Sequence, residues 1–209
     1  TGVQTCALPI FTYLDAIAPS SSRGPAADGR IKPDLAAVGT NVYSTIDGHT
    51  YGNKTGTSMA APGVAGFFTV LHGAFDQHQG YTATGGLLKA IAMNTAEDLG
   101  NDGPDFIFGY GRVNARRAIQ TIQDTAWFSG NASLGGSYNY TIGVPPGAKG
   151  LRTMLYWTDP EGSTSASEAL VNNLDFTVTD ISNSTTYQPW VLNPAPNNNT
   201  LNNLAVRGT

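Results

Sequence analysis

The sequence predicts an α/β unit, a partial parallel sheet with buried helices, followed by an all-β domain of the sandwich or jelly-roll kind. Three observations carry this. Short apolar segments separated by turns lead into helical runs between residues 35 and 122. The run from Ser58 to Phe75 is almost wholly apolar. From Ser137 onward apolar and polar side chains alternate. Strand, turn and buried helix in succession is the pattern of a covered, largely parallel sheet, whereas period-two alternation is that of antiparallel layers.

Taken in order, residues 1–10 fit neither pattern and read as a non-native leader, and residues 11–18 read as one short strand. Pro19-Ser20-Ser21-Ser22-Arg23-Gly24-Pro25 is a run of turn formers and must be a loop. Strands are expected at 35–38 and 42–46, with a turn at Gly39 and a hairpin-like turn at Asp47-Gly48. The helix from Ser58 to about Phe75 carries Val64, Phe67, Phe68, Val70, Leu71 and Phe75 on several faces, so burial on most sides is expected. Pro62 is acceptable near its first turn, where a missing N–H costs little. Further helices are expected at about 84–96 and 113–122, after the polar break at 76–80.

Around Asp124 the periodicity changes, which divides the chain into 11–124 and a truncated β domain at 125–209. Tyr138, Tyr140, Ile142 and Val144 lie on one face of an expected strand, as do Leu151, Thr153, Leu155 and Trp157, and Leu174, Phe176 and Val178. The tail from 193 to 203 reads as a loop, and Asn203-Leu204-Ala205-Val206-Arg207 as the start of another element.

Composition narrows the partners. The chain has 209 residues, 40% hydrophobic and 12% charged, with 25 Gly and 12 Pro, which fits a globular protein rich in turns. A net charge of −4 with no cluster of Lys or Arg gives no footprint for nucleic acid. The helix after Ser58 is interrupted by Gly66, Thr69, His72 and Gly73, so no membrane span is expected. Cys6 is the single cysteine and forms no intrachain disulfide. Oligomeric state leaves no trace in the sequence.

The chemistry is expected at Gly56-Thr57-Ser58. This places a serine hydroxyl on the first turn of a helix, where unpaired N–H groups and the positive end of the dipole favour developing negative charge. That is the electrostatic half of an acyl-transfer site. A neutral hydroxyl also needs a base within hydrogen-bond reach. His72 lies fourteen residues along the same helix, about 21 Å away at 1.5 Å per residue, and His78 is farther still. His49 follows the Asp47-Gly48 turn, and Asp15 and Asp34 have no position that would orient a base; Asp34 reads as a structural acceptor.

Gly56-Thr57-Ser58-Met59-Ala60-Ala61-Pro62, preceded by Ser21-Ser22-Arg23-Gly24-Pro25 and Gly29-Arg30-Ile31-Lys32-Pro33-Asp34-Leu35-Ala36-Ala37 and followed by Gly109-Tyr110-Gly111-Arg112-Val113-Asn114-Ala115, resembles the C-terminal part of the catalytic domain of subtilisin-like serine peptidases. The resemblance implies that Ser58 is the nucleophile, that its own N–H serves the oxyanion hole, and that the Thr57 hydroxyl supports it. It also implies that the Asp and His of the triad, and an asparagine oxyanion donor, precede the regions seen here. Two positions depart from the pattern: Gly63 stands where many relatives carry histidine, and Val38 where proline is usual.

Leu155-Tyr156-Trp157-Thr158-Asp159-Pro160, Leu170-Val171-Asn172-Asn173-Leu174-Asp175 and Tyr187-Gln188-Pro189-Trp190 resemble the jelly-roll domain that follows the catalytic domain in some secreted subtilases. Such domains can bind calcium, and Asp159, Glu161, Asn173 and Asp175 are oxygen ligands of the right kind; equally they read as ordinary loop groups. Trp157 and Trp190 read as core tryptophans or as a carbohydrate platform. The triplets at Asn53, Asn131, Asn139, Asn183 and Asn198 match glycosylation acceptors.

The expected function is therefore that of an extracellular serine endopeptidase acting on protein or peptide substrate, with no cofactor needed for catalysis. The chain itself is expected to be a fragment that holds the nucleophile without its base. The alternative is a non-catalytic binding module on a degenerate subtilase fold.

Overall fold

The computed structural model describes residues 10–11, 16–166, 170–194 and 206–207. Cys6, Asp15 and Asn198 lie outside them. In chain order the elements are β1 (Ile10–Phe11), β2 (Ala37–Val38), β3 (Val42–Ile46), β4 (Thr50–Lys54), α1 (Thr57–Gln79), α2 (Gly85–Thr95), α3 (Ala115–Gln123), β5 (Val178–Asp180), β6 (Thr185–Tyr187), β7 (Trp190–Val191) and β8 (Val206–Arg207).

The expected parallel sheet is reduced, among the described residues, to one short pair: Ile10 lies beside Ala37 and Phe11 beside Val38. Next to it β3 and β4 form an antiparallel hairpin, with Val42 opposite Lys54 and Ile46 opposite Thr50. A loop of three residues can only return the chain antiparallel, since a parallel neighbour needs a crossover of a dozen residues or more. Gly48 and His49 in that loop adopt φ of 81° and 58°, the left-handed conformation a tight return demands. The hairpin is mostly exposed, and Tyr43 stacks on Tyr51 with centroids 5.8 Å apart.

α1 continues four residues past Phe75, because the polar run Asp76-Gln77-His78-Gln79 holds no helix breaker; the helix stops only at Gly80, whose φ of 74° is left-handed and whose N–H donates to the Asp76 carbonyl. Burial on most sides does not occur. Ala60, Val64, Phe67, Leu71 and Phe75 form one buried stripe at helical spacing, while Val70 is 55% exposed. Ala and Gly are apolar in a composition count yet lose little when left in water, so they do not mark a face. Length and composition alone would let α1 cross a membrane, contrary to the sequence expectation; Leu71 and Phe75 are nevertheless committed to the core shared with α2 and α3.

α2 and α3 fall within two residues of their expected bounds. The Thr84 hydroxyl caps α2 by accepting from Leu87 N, and the Asn114 side chain caps α3 by accepting from Arg117 N. α3 packs against both other helices through Ala118 and Ile122, each fully buried. Gly111 lies so close to the Glu97 carbonyl, at φ 112°, that no side chain fits there.

Beyond α3 the alternating segments 138–144 and 151–157 form no ladder among the described residues, and no jelly roll is seen. Alternation specifies which face of a strand is apolar but not which strand pairs with it. Among the described residues of this half two small antiparallel pairs occur, β5 with β6 and β7 with β8. Instead this half leans on the first. Trp127, Met154 and Tyr156 pack on the helical core. Arg152 Nη1 donates to the Ala96 carbonyl at the end of α2 (2.8 Å), and Asn94 Nδ2 donates to the Arg152 carbonyl (3.3 Å). The Trp190 ring packs against Gly103, 3.1 Å from where a Cβ would stand.

Two ionic knots fasten the loops between helices. Glu97 accepts from Arg112 Nε (2.8 Å), from Arg112 Nη2 and from Asn114 Nδ2 (3.0 Å). The Arg112 guanidinium holds the Glu97 carboxyl below its ordinary value of 4.5. At Asp34 burial works to raise the pKa, but Lys32 at 2.6 Å and Lys89 at 3.2 Å outweigh it and hold the group below 3.8. A depressed carboxylate stabilises the fold fully above its unfolded value and loses that contribution as pH falls through its folded value. Buried Asp105 runs the other way: burial raises its pKa against the bonds from Phe108 N and Ile107 N, so protonation favours the folded form there. The melting temperature is expected to fall as pH drops below about 4.5, and Glu97→Gln should make that fall shallower. An unchanged acid slope in the variant would remove Glu97 from the account.

Candidate active site

Ser58 is the second residue of α1, and it is exposed. Gly56 is the N-cap residue and brings no side-chain cap, so the N–H groups of Thr57 and Ser58 have no acceptor within the helix or on its cap. Only Met59 N turns back, to the Gly56 carbonyl at 3.0 Å. An exposed hydroxyl beside uncapped N–H groups at a positive helix end is the arrangement that stabilises an oxyanion. Thr57, half-buried, is the first residue of the same turn.

Pro62 stands sixth in α1 rather than in its first turn. The N–H it lacks would have bonded the carbonyl four residues back, that of Ser58. The serine's own carbonyl is thereby released from the helical ladder.

The segment before Ser58 is tied to the turn between β2 and β3. Gly56 N–H donates to the Gly39 carbonyl at 2.8 Å, and Asn41 N–H donates to the Thr55 hydroxyl at 2.9 Å. Sequence reasoning missed Asn41 and Thr55. The one available signal was the turn at Gly39, where Asn41 tolerates its left-handed φ of 53° better than most residues.

None of the three histidines joins Ser58. His72 faces Asp76 one turn on, at 3.7 Å, and His78 contacts Gln123 at 3.3 Å near the far end of α1. His49 sits at the hairpin tip, separated from the start of α1 by residues 50–56, of which β4 alone is about 16 Å of extended chain. Asp34 is the acceptor of two lysines, as described above.

Of the oxygen ligands expected for calcium, Asp159 is engaged within its own loop. Asp159 accepts from Val171 N (2.6 Å) and from Asn172 N and Nδ2 (3.0 and 2.8 Å), and the Val171 N–H is the chief cause of its lowered pKa. Asp159, Glu161 and Asp175 do not form a metal-holding group, and no set of three His, Cys, Asp or Glu does so among the described residues. Asp159 clamps the loop at Val171 and Asn172. Trp190 is 40% exposed against Gly103, and Trp157 is half-buried with its Nε1 lacking a partner among the described residues.

Residues 12–111 match the subtilase family, peptidase S8. Over 134 residues the chain is 35% identical to the minor extracellular protease Vpr of Bacillus subtilis, covering 60% of this chain and 15% of that protein. It is 48% identical over 69 residues to an extracellular serine protease of Serratia marcescens, covering 33% of this chain and 6% of the other. The solved structure of the CspB protease of Clostridium perfringens superimposes with a TM-score of 0.50 at 28% identity, covering 55% of this chain and 26% of that one. The chain thus spans 15% or less of the length of these two curated relatives. The serine motif, the loops that pack on it and the glycine turn before α3 all lie inside the segment that matches the subtilase family.

Proposed function

We propose that Ser58 is the nucleophile of a serine endopeptidase whose orienting carboxylate and histidine base lie outside these 209 residues. The observation that carries the reading is an exposed serine at the second position of α1, beside an uncapped helix start. In the reaction the Ser58 Oγ attacks the carbonyl carbon of a peptide bond, and its proton passes to the histidine. The carbonyl oxygen becomes an oxyanion held by the Ser58 N–H, with the Thr57 hydroxyl in support. Collapse breaks the C–N bond, the histidine returns the proton to the leaving amine, and water then hydrolyses the acyl-enzyme. No cofactor enters this scheme. The substrate is protein, and the extracellular names of the Bacillus subtilis and Serratia marcescens relatives support a secreted setting.

A fluorophosphonate probe tests this. In the protease that carries this chain it is expected to label Ser58, and in the isolated 209 residues to label it scarcely, because no histidine here reaches the hydroxyl. Strong labelling of the isolated chain would show that a base is present after all. No labelling in the longer protein would favour a binding module built on the same fold.

A further inference from the structure

The start of α1 has no cap of its own: Gly56 offers no side chain, and the first turn would be free to pivot about the backbone. What fixes it is a clamp from the turn between β2 and β3. One bond runs from Gly56 N–H to the Gly39 carbonyl, the other from Asn41 N–H to the Thr55 hydroxyl, so two residues on each side are held in register just ahead of Ser58. Between the two anchors the Thr40 hydroxyl is buried without a partner among the described residues. Uncompensated polar burial is an expense that folds tolerate chiefly where geometry is being enforced.

We propose that Thr55 is a positioning residue for Ser58: its hydroxyl, through Asn41, sets the pose of the first turn of α1 and with it the direction of the Ser58 Oγ and N–H. The proposal rests on the reading of Ser58 as the nucleophile. Thr55 touches no reacting atom in this scheme and acts only through the backbone. Being exposed, its hydrogen bond contributes little to global stability, because water can replace it in a loosened state. Its effect belongs to alignment, where small displacements of a nucleophile cost far more in rate than in folding.

The test compares Thr55→Val, which keeps the shape and removes the acceptor, with Thr55→Ser, which keeps the hydroxyl, in the protease that carries this chain. Thr55→Val is expected to lower both kcat and the rate of fluorophosphonate labelling about tenfold, with KM within about twofold and the melting temperature close to that of the parent. Thr55→Ser is expected to stay within about twofold of the parent in both rates. In the isolated chain, Thr55→Val is expected to speed hydrogen exchange at the Asn41 amide, a readout that does not depend on activity. Parental kcat in Thr55→Val, or equal losses in the Val and Ser variants, would overturn the positioning role. Retained turnover in Ser58→Ala would instead overturn the nucleophile, and the present proposal with it.

Discussion

Ser58→Ala, made in the protease that carries this chain, is expected to lower peptide hydrolysis by about 10⁶-fold, the loss that follows removal of the nucleophile from a serine–histidine pair. Folding should not change. The Ser58 side chain is exposed and no side chain caps this helix, so a methyl group there disturbs no packing and removes no cap; substitutions of that kind stay within about 0.5 kcal/mol. Alanine also keeps the N–H that faces the oxyanion, so what remains above the uncatalysed rate reports on binding and the helix start alone. Hydrolysis of a chromogenic peptide and a thermal melt, run on the same preparation, separate the two effects. Turnover within tenfold of the parent would remove Ser58 from the reaction.

Phe75→Ala should do the reverse and damage the fold wherever the chemistry stands. Phe75 is fully buried, meets Tyr81 edge-on at 5.4 Å and Trp127 at 5.6 Å, and ends the stripe by which α1 joins the core. Emptying such a site costs about 3–5 kcal/mol, because the lost burial is compounded by the cavity left behind. Set against a typical total of about 5–15 kcal/mol, that is a large share of the whole. Urea unfolding of the isolated chain followed by tryptophan fluorescence gives the value directly, since Trp127 abuts the vacated ring. A loss below 1 kcal/mol would mean that Phe75 is not the hub its burial implies.

The helices were legible because their signals are local. Thr84 and Asn114 stand just ahead of runs with helical periodicity, and both cap the helices that follow. The place of Ser58 at a helix start was legible for the same reason, a Gly-Thr-Ser turn leading into an apolar run. β4 was not read as a strand: Thr50-Tyr51-Gly52-Asn53-Lys54 has one aromatic, a glycine and little alternation, and it pairs only because the three-residue loop before it brings it back beside β3. The open face of α1 was hidden by the chemistry of small residues, which serve either side of a helix. The period-two segments after Ser137 showed a pattern whose pairing depends on distant strands. The Asn41–Thr55 bond joins residues fourteen positions apart through a main-chain donor, and no periodicity encodes that.

The bond from Arg152 to the end of α2 sets an order of events during synthesis. The carbonyl of Ala96 receives a guanidinium from 56 residues downstream, and Met154 and Tyr156 arrive with it against the same core. A chain emerging from the ribosome has all three helices outside before Arg152 follows. Through that interval the end of α2 must be served by water, and the side of the core that Tyr156 covers stands open. The helical half is thus complete in sequence well before it is complete in structure, and a nascent chain that has emerged as far as residue 124 but not yet to 152 presents to its neighbours the apolar surface that Met154 and Tyr156 later cover.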